Sequence, residues 1–306
     1  LHLSLRRQRQ MCIRDSDILD RAIWGDDPMG MPVIGTVANI EGFTRQDLVH
    51  HVQSHYVAEK TVVVAAGNFD VDPWMALAKE LFAGMRASTD VPVLQQATPA
   101  KYVGQSLARR FTQVSQVFVN VAYPLVPAAQ EQGARRRSRL AASLAAYLFG
   151  EGMSSPLVDT VREQLGLAYT AYAAMESGDV WANFIVHAVT TPDKLEALLT
   201  ATRRLLQAQA AGIDPVHLER AKNQLTVSRV RSGERTYATM EQAVEELFAN
   251  GTVTPIAETL AMIDDIGAEE VRMVFERMLA HPPALAITGK GVSAKAARQL
   301  AGCLQA

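Results

Sequence analysis

The last quarter of this chain repeats the pattern of an earlier segment. A helical apolar pattern, a short apolar run and a second helical pattern fill residues 40–77, and the same order returns in residues 263–300. A shift of 223 positions, without a gap, pairs the apolar positions as follows: Ile40 with Ile263, Leu48 with Val271, Val52 with Phe275 and Leu77 with Leu300. The register holds through two connections whose lengths are free to differ, which predicts two similar domains, the first without its opening part. The alternative is that any two helix–strand–helix segments can be aligned this well.

Local signals define the elements of the first copy. Thr44 is suited to an N-cap, and Leu48, Val52 and Tyr56 recur at helical spacing, so we expect one buried helix face. The β-branched run TVVVAAGNFD that follows predicts a buried strand.

The segment between the two copies predicts hairpin strands with helices beside them. Residues 113–124 alternate in the manner of a strand, and residues 167–175 and 179–189 predict two strands that turn at Ser177 and Gly178. A helix with Ser155 at its N-cap, Pro156 at its first position and Gly166 at its end precedes them. Long amphipathic helices follow. The fold class predicted is α+β, with two related domains of mixed or antiparallel sheet and helices packed alongside.

Composition shifts predict the domain boundaries. Residues 1–16 lack the apolar core of a secretory signal, although their arginines would suit a basic targeting peptide, and we interpret them as a non-native leader. We expect residues 17–86 to form the C-terminal half of a first domain, residues 87–106 a linker rich in Pro, Ser, Thr and Gln, and residues 107–306 a second, related domain.

Charge and apolar content exclude several classes of protein. The chain has 30 basic and 32 acidic residues, and residues 1–16 hold four arginines and one aspartate, so the remainder has 26 and 31, a net charge of −5. A nucleic-acid partner is therefore not expected. No apolar run reaches the roughly 18 residues of a membrane span. Two cysteines near opposite ends predict no disulfide framework.

Several familiar site motifs are missing or have a structural explanation. His51 and His55 are one helical turn apart and could share a metal, but no third ligand stands nearby, so we interpret them as an exposed helix flank. Neither HExxH nor HxxEH occurs. The glycine-rich run FGEGMSS lacks the lysine of a phosphate-binding loop and predicts a turn. The arginines in 135–139 predict a solvated helix start, or a contact with an acidic partner.

The stretch VREQLGLAYT holds the one pair of residues with a more specific chemical use. Arg162 falls in the last turn of a predicted helix, and Tyr169 at the third residue of the next predicted strand. A guanidinium and a phenol together can hold a peptide carbonyl or stabilise an oxyanion. The structural alternative is that Arg162 stabilises the helix C-terminus while Tyr169 fills a half-buried strand position. The spacing alone does not choose between them.

Two long segments resemble a known family. GEGMSSPLVDTVREQLGLAYTAYAAMESGD is similar to the second-domain signature of the pitrilysin, insulin-degrading enzyme and mitochondrial processing peptidase group of zinc metallopeptidases. PMGMPVIGTVANIEGFTRQDLVHHVQSHYVAEKTVVVAAGNFD is similar to the back half of its first domain. The resemblance covers residues 17–306 and implies two related α+β domains that face each other like a clamshell. In that family, zinc is held by HxxEH and a downstream glutamate, which would precede Asp17 here, so no metal ligand is carried over.

The resemblance implies a fragment of a zinc-dependent endopeptidase. Arg162 and Tyr169 match the second-domain residues that reach the substrate, so we expect both to bind substrate and stabilise the transition state. Zinc is the cofactor implied for the full-length protein, with none bound by this fragment. The partners implied are a peptide or unfolded protein segment and, as an option, a homologous subunit.

Two other functions remain open. The chain could belong to a non-catalytic partner subunit, or to a scaffold that binds extended peptides along a sheet edge. We expect a soluble protein, cytoplasmic or periplasmic if bacterial, but the sequence does not identify the compartment.

Overall fold

A computed structural model describes residues 16–87, 101–111, 115–125, 132–178 and 180–305. The chain divides into two compact units. One comprises residues up to Val33, Pro99–Val227 and Ala257–Ala306, and the other comprises Ile34–Thr98 and Ser228–Ile256. This division differs from the predicted one at residues 86 and 107, because residues 16–33 belong to the larger unit and Ser228–Ile256 to the smaller. The assignment to a first and a second peptidase-type domain stays a prediction.

The larger unit is built on one mixed sheet. Its strands are β1 (Ser106–Arg110), β2 (Val117–Pro124), β3 (Thr170–Ser177), β4 (Ala182–Thr190) and β5 (Ala284–Gly289). Their order is β1-β5-β2-β4-β3, with β1 parallel to β5 and the other neighbours antiparallel. The predicted α+β class and mixed sheet are confirmed. Strand β1 was not predicted, and its first residue falls in the predicted linker.

Helices cover one face of this sheet. The larger unit contains α1 (residues 16–24), α5 (Gln132–Gly150), α6 (Pro156–Val158), α7 (Leu195–Ala211), most of α8 (Pro215–Gly233) and of α10 (Ile256–Asp265), α11 (Ala268–Leu279) and α12 (Ala294–Gln305). Helix α5 contacts β3, α12 contacts β1, and α11 packs on α5 and α7. Three rings from different elements meet in the core, Phe149, Phe184 and Phe275, with centroids 5.7 to 6.0 Å apart. Apolar alternation along the strands therefore builds a single core on this face.

The opposite face of the sheet is partly covered by α1. Its buried side chains, Leu19, Ala22, Ile23 and Trp24, pack on Ala122, Ile185, Ala284 and Ala286. The Trp24 ring lies 5.8 Å from that of Trp181 and 6.4 Å from that of Tyr102. Hence α1, which the sequence assigned to the first domain, supplies the second apolar layer of this sheet.

Asp20 gives α1 a pH-dependent contribution to stability. Burial, followed by the nearby Glu176 and Asp17, raises the pKa of Asp20 from 3.8 to about 6. An acid whose pKa is raised on folding stabilises the fold while protonated, and this contribution is lost as pH rises from about 4 to 6. We expect Asp20→Asn to raise the free energy of unfolding at pH 7.5 by about 1 to 2 kcal/mol, after allowing for solvent screening. The gain should vanish near pH 4.

Denaturant unfolding of the two chains at both pH values measures this difference. Glu245→Gln is a matched control, because Glu245 is exposed on a helix of the smaller unit and should leave stability unchanged at both pH values. Equal stability of the wild type and Asp20→Asn at pH 7.5 would contradict the raised pKa.

The smaller unit contains helices and no strand among its described residues. The helices are α2 (Val37–Gly42), α3 (Arg45–His55), α4 (Val71–Phe82) and α9 (Thr236–Asn250). The predicted N-cap is confirmed, since Thr44 and Asp47 form a reciprocal capping box. Two other predictions are wrong. The run Thr61–Ala66 forms no strand, and the predicted buried face of α3 is exposed: Leu48 by 59%, Val52 by 51% and Tyr56 by 64%. The described part of this unit offers no sheet on which either could pack.

The helices of the two copies nevertheless coincide under the shift of 223. Helix α4 maps residue for residue onto α12. Helix α3 maps onto all of α11 except the last residue of α11, Leu279. Asp47 and Glu270, which correspond, both accept the backbone N–H of the residue three positions before them. The strand differs: Thr61–Ala66 corresponds to β5, which is fully buried between β1 and β2. The repeat therefore holds for helices and caps.

The arginines at the start of α5 are engaged within the fold. Arg137 binds Glu270 through two nitrogens at 2.7 Å and Asp265 at 2.7 Å. Arg136 donates to the Thr259 hydroxyl at 2.6 Å. The prediction of a solvated helix start is therefore wrong for these residues, because α10 and α11 fold back against the N-terminal end of α5.

No helix in the described residues is long and apolar enough to cross a bilayer.

Candidate functional site

Arg162 lies in a π-helical turn that the sequence did not predict. Ser155 caps α6 as expected, with Pro156 at its first position, but the backbone then widens into a π-helix over Asp159–Gln164. In an α-helix, Arg162 would stand one turn after the buried Val158 and share its face. Because a π-helix closes its hydrogen bonds over five residues, Arg162 leaves that face, and its side chain is 46% exposed. Such turns are frequent at functional sites.

Gly166 ends this helix in the left-handed conformation. Its φ is 56°, which confirms the predicted glycine C-cap. The backbone N–H groups of Leu167 and Ala168 both donate to the carbonyl of Val161, at 2.7 and 3.1 Å. Lys194 Nζ donates to the Gly166 carbonyl at 2.8 Å. The turn between Arg162 and Tyr169 is thus held from within the segment and from Lys194.

Tyr169 immediately precedes β3, so the strand begins three residues later than the predicted start at residue 167. Its backbone N–H donates to the Val189 carbonyl at 2.9 Å, which fixes it against β4. The side chain is 76% exposed, and no hydrogen-bond partner of its hydroxyl is found among the described residues. The alternative of half-buried strand filler does not fit this exposure.

The two predicted site residues thus stand on either side of one turn. Arg162 makes an ion pair of 3.2 Å with the adjacent Glu163, which leaves other guanidinium donors for a ligand. A groove of about 260 Å³ opens beside Tyr169. It is lined by Gln116, residues 166–169, residues 189–191 and Lys194. Arg162 is not part of its lining. Their joint action on one substrate stays a prediction.

Lys194 is the groove residue that sequence reasoning missed. It occupies the 3-10 turn Pro192–Lys194 between β4 and α7, where the pattern TPDKLE predicts only a helix start. Its separation from Gly166 is 28 positions, and only the pairing of β3 with β4 brings the two together. No motif in a single sequence signals this contact.

A second polar row crosses the sheet on the face away from the main core. Asn120, His187 and Tyr172 occupy matching positions of β2, β4 and β3. His187 Nδ1 lies 2.8 Å from the Asn120 amide oxygen, and its ring centroid is 4.8 Å from that of Tyr172. Burial lowers the pKa of His187, so the imidazole is neutral near pH 7. The His187 ring is thus held between Asn120 and Tyr172.

The histidines of α3 do not form a metal site with other described residues. The rings of His51 and His55 stack at 4.3 Å, and His55 Nδ1 lies 3.0 Å from the His51 carbonyl oxygen. In the described part of the chain, no group of three or more His, Cys, Asp or Glu side chains could hold a metal ion. The described residues therefore supply no ligand set for a zinc ion.

The glycine-rich run before α6 has a structural role. Gly152 has φ of 79°, and Ser155 caps α6. Arg220 of α8 donates to the Leu148 carbonyl at 2.8 Å and to the Ser154 hydroxyl at 3.0 Å. The run thus closes the C-terminal end of α5 and begins the next helix.

Comparisons with known proteins agree with this fold. An uncharacterized zinc protease from Mycobacterium leprae is 28% identical over 304 residues, covering 94% of this chain and 65% of that protein. The chain spans less than two thirds of the length of this and similar curated relatives.

Two solved structures share the fold at 18% identity. A chain of complex III2 from Candida albicans superposes with a TM-score of 0.79, over 94% of this chain and 70% of that one. A protease from Helicobacter pylori superposes with a TM-score of 0.75, over 89% of this chain and 65% of that one. The family profile described as the peptidase M16 inactive domain matches residues 42–225, more than half of the chain. The chain therefore belongs to the M16 peptidase family.

Proposed function

We propose that this chain is part of a zinc-dependent endopeptidase that cleaves peptides or unfolded protein segments, and that it supplies substrate contacts rather than the metal. The exposed pair Arg162 and Tyr169, on either side of the Gly166 turn, is the observation that carries this proposal. The match to the inactive domain of the family and the zinc proteases among its relatives support it.

The chemistry of the two side chains suits a peptide carbonyl. A guanidinium offers a planar fork of N–H donors that stays charged at all working pH values, and a phenol adds one O–H donor. Donors that are already positioned stabilise the negative charge that develops on the carbonyl oxygen during peptide hydrolysis. The described residues hold no ligand set for zinc, so no step of this proposal passes through a metal held by this chain.

The exposure of the pair also indicates where substrate would bind. Tyr169 is anchored by its backbone to Val189, and Gly166 is anchored by Lys194, so the donors extend from a fixed connection. Ordered backbone below exposed polar tips is the arrangement expected of a binding site, because little entropy is lost when the ligand is bound. An extended peptide of the kind this family accepts would lie across the tips of both residues.

Zinc-dependent cleavage of a quenched fluorogenic peptide tests this function. We expect the longer protein to cleave the peptide, to lose activity with a chelator and to regain it with zinc. The 306-residue chain alone should cleave nothing and bind no catalytic zinc. Cleavage by the isolated chain at the rate of the longer protein would contradict the assignment. A longer protein that binds the peptide but does not cleave it would favour the alternative of a non-catalytic partner subunit or scaffold.

A further inference from the structure

We infer that the groove beside Tyr169 binds a carboxylate of the peptide substrate, and that Lys194 is the residue that selects it. This inference rests on the proposed peptide-binding function and adds a chemical preference to it. The ligand class is a peptide with an acidic side chain or a free C-terminal carboxylate at the position that enters the groove.

Lys194 has donor capacity left for a ligand. A lysine ammonium carries three N–H donors, and one of them is used by the Gly166 carbonyl at 2.8 Å. In the described part of the chain, no carboxylate oxygen lies within 4.0 Å of Lys194 Nζ, the distance limit for an ion pair. The ammonium is thus held by a neutral carbonyl, and none of the described carboxylates forms an ion pair with it.

The lining of the groove favours an anion over a cation. Besides Lys194, the polar lining residues are Gln116, Tyr169, Thr190 and Thr191, and none of the lining residues is acidic. The hydroxyls of Thr190 and Thr191 are already hydrogen-bonded, to the Leu167 carbonyl and to Asp193, so Gln116 and Tyr169 are the further donors. The nearest acidic neighbour in sequence, Asp193, is hydrogen-bonded to Thr191. Its pKa is lowered by the Thr191 hydroxyl, then by its own backbone, with Lys194 a lesser cause. Asp193 does not line the groove, so a carboxylate entering it meets donors first.

The size of the groove matches one side chain of an extended peptide. Its volume of about 260 Å³ exceeds that of a glutamate side chain and is below that of a drug-sized ligand site. Because Tyr169 borders the groove, a peptide held at Tyr169 would place a neighbouring residue within reach of Lys194. An exposed ion pair of this kind is modest, so we expect a preference of about three- to fivefold in Kd at low salt.

Three fluorescein-labelled decapeptides of otherwise identical apolar sequence test the inference by fluorescence anisotropy. The first has one internal Glu and an amidated C-terminus, the second has Gln and a free C-terminus, and the third has Gln and an amidated C-terminus. We expect the wild-type chain to bind one or both carboxylate peptides about three- to fivefold more tightly than the third. The first two peptides distinguish an acidic side chain from a terminal carboxylate.

Variants at Lys194 separate selection from turn stability. Lys194→Gln should remove the preference for the carboxylate peptides whatever its effect on the neutral peptide, and Lys194→Arg should retain the preference. Lys290→Gln, a control at an exposed lysine elsewhere in this unit, should behave as the wild type. Equal binding of all three peptides by the wild type overturns the inference. So does a Lys194→Gln variant that weakens all three peptides equally, because that result assigns Lys194 to the Gly166 turn alone.

A titration with N-acetylglutamate, followed by the NMR shifts of the Gly166 and Leu167 amides, keeps the inference testable if no peptide binds. Failure of all three peptides would contradict the proposed function. Shifts in the wild type that disappear in Lys194→Gln would still support a carboxylate site. Absence of shifts in the wild type, or identical shifts in the variant, would overturn it.

Discussion

Gly150→Ala should destabilise the larger unit by about 3 kcal/mol or more, because the added methyl group would overlap the backbone of a neighbouring strand. A Cβ at Gly150 would lie 2.2 Å from the backbone nitrogen of Ala173 and 2.7 Å from its Cβ. Contacts this short require the backbone of α5 or of β3 to move.

Neither element can move without loss of other contacts. The last turn of α5 contains Leu148 and Phe149, both completely buried, and Ala173 is paired with Val186 inside the sheet. A shift of either backbone would open the core around Phe149 or strain the β3–β4 ladder. Overpacking in a dense core is therefore expected to lower the free energy of unfolding rather than be absorbed.

Gly302→Ala provides the matched control. Gly302 lies inside α12, and among the described residues nothing outside its own helix backbone and chain neighbours stands within 4 Å of the position that a methyl group would take there. Alanine there should stabilise the chain by about 0.5 to 1 kcal/mol, because glycine has a lower helix propensity. Denaturant unfolding of both variants measures the difference. A Gly150→Ala chain as stable as the wild type would contradict the close approach of α5 to β3.

Local signals in the sequence were sufficient for much of this fold. Helix caps at Thr44 and Ser155 and the glycine end at Gly166 were predicted, because a cap is decided by one or two neighbouring residues. Strands with apolar alternation, such as β2 and β4, were also found from local pattern. The resemblance added the family, which the profile match confirms.

Long-range packing explains what the sequence did not show. The short strand β1 has no distinctive pattern, and it forms because β5, some 180 residues later, offers an edge. The face of α3 was predicted buried from the same periodicity that buries Val271 and Phe275 in α11. Periodicity identifies a face that can be buried, but burial requires a partner element, and the described residues of the smaller unit supply none.

The candidate site was predictable in its chemistry but not in its geometry. Arg162 and Tyr169 came from residue type, spacing and resemblance, whereas the π-helical turn that exposes Arg162 has no sequence signature of its own. The groove depends on Lys194 reaching Gly166 across the β3–β4 pairing, which again is a long-range contact. The sequence therefore proposed Arg162 and Tyr169 as donors, and the tertiary structure determines what surrounds them.

Arg162→Ala and Tyr169→Phe should each lower kcat/KM of the longer protein by about tenfold or more, under the proposed function. Each substitution removes a donor to the carbonyl oxygen, so the loss should fall mainly on kcat if the donor acts in the transition state. Folding should be unaffected, because the Arg162 side chain is 46% exposed and that of Tyr169 is 76% exposed.

Matched controls distinguish these roles from general surface effects. Arg204→Ala removes an exposed arginine of α7, and Tyr237→Phe removes the hydroxyl of a tyrosine that is 66% exposed on α9. Both controls should keep wild-type kcat and KM. If Arg162→Ala and Tyr169→Phe raise only KM, the pair binds substrate without favouring the transition state. If all four variants cleave the peptide like the wild type, Arg162 serves only its ion pair with Glu163, and the proposed contact of Tyr169 with substrate is wrong.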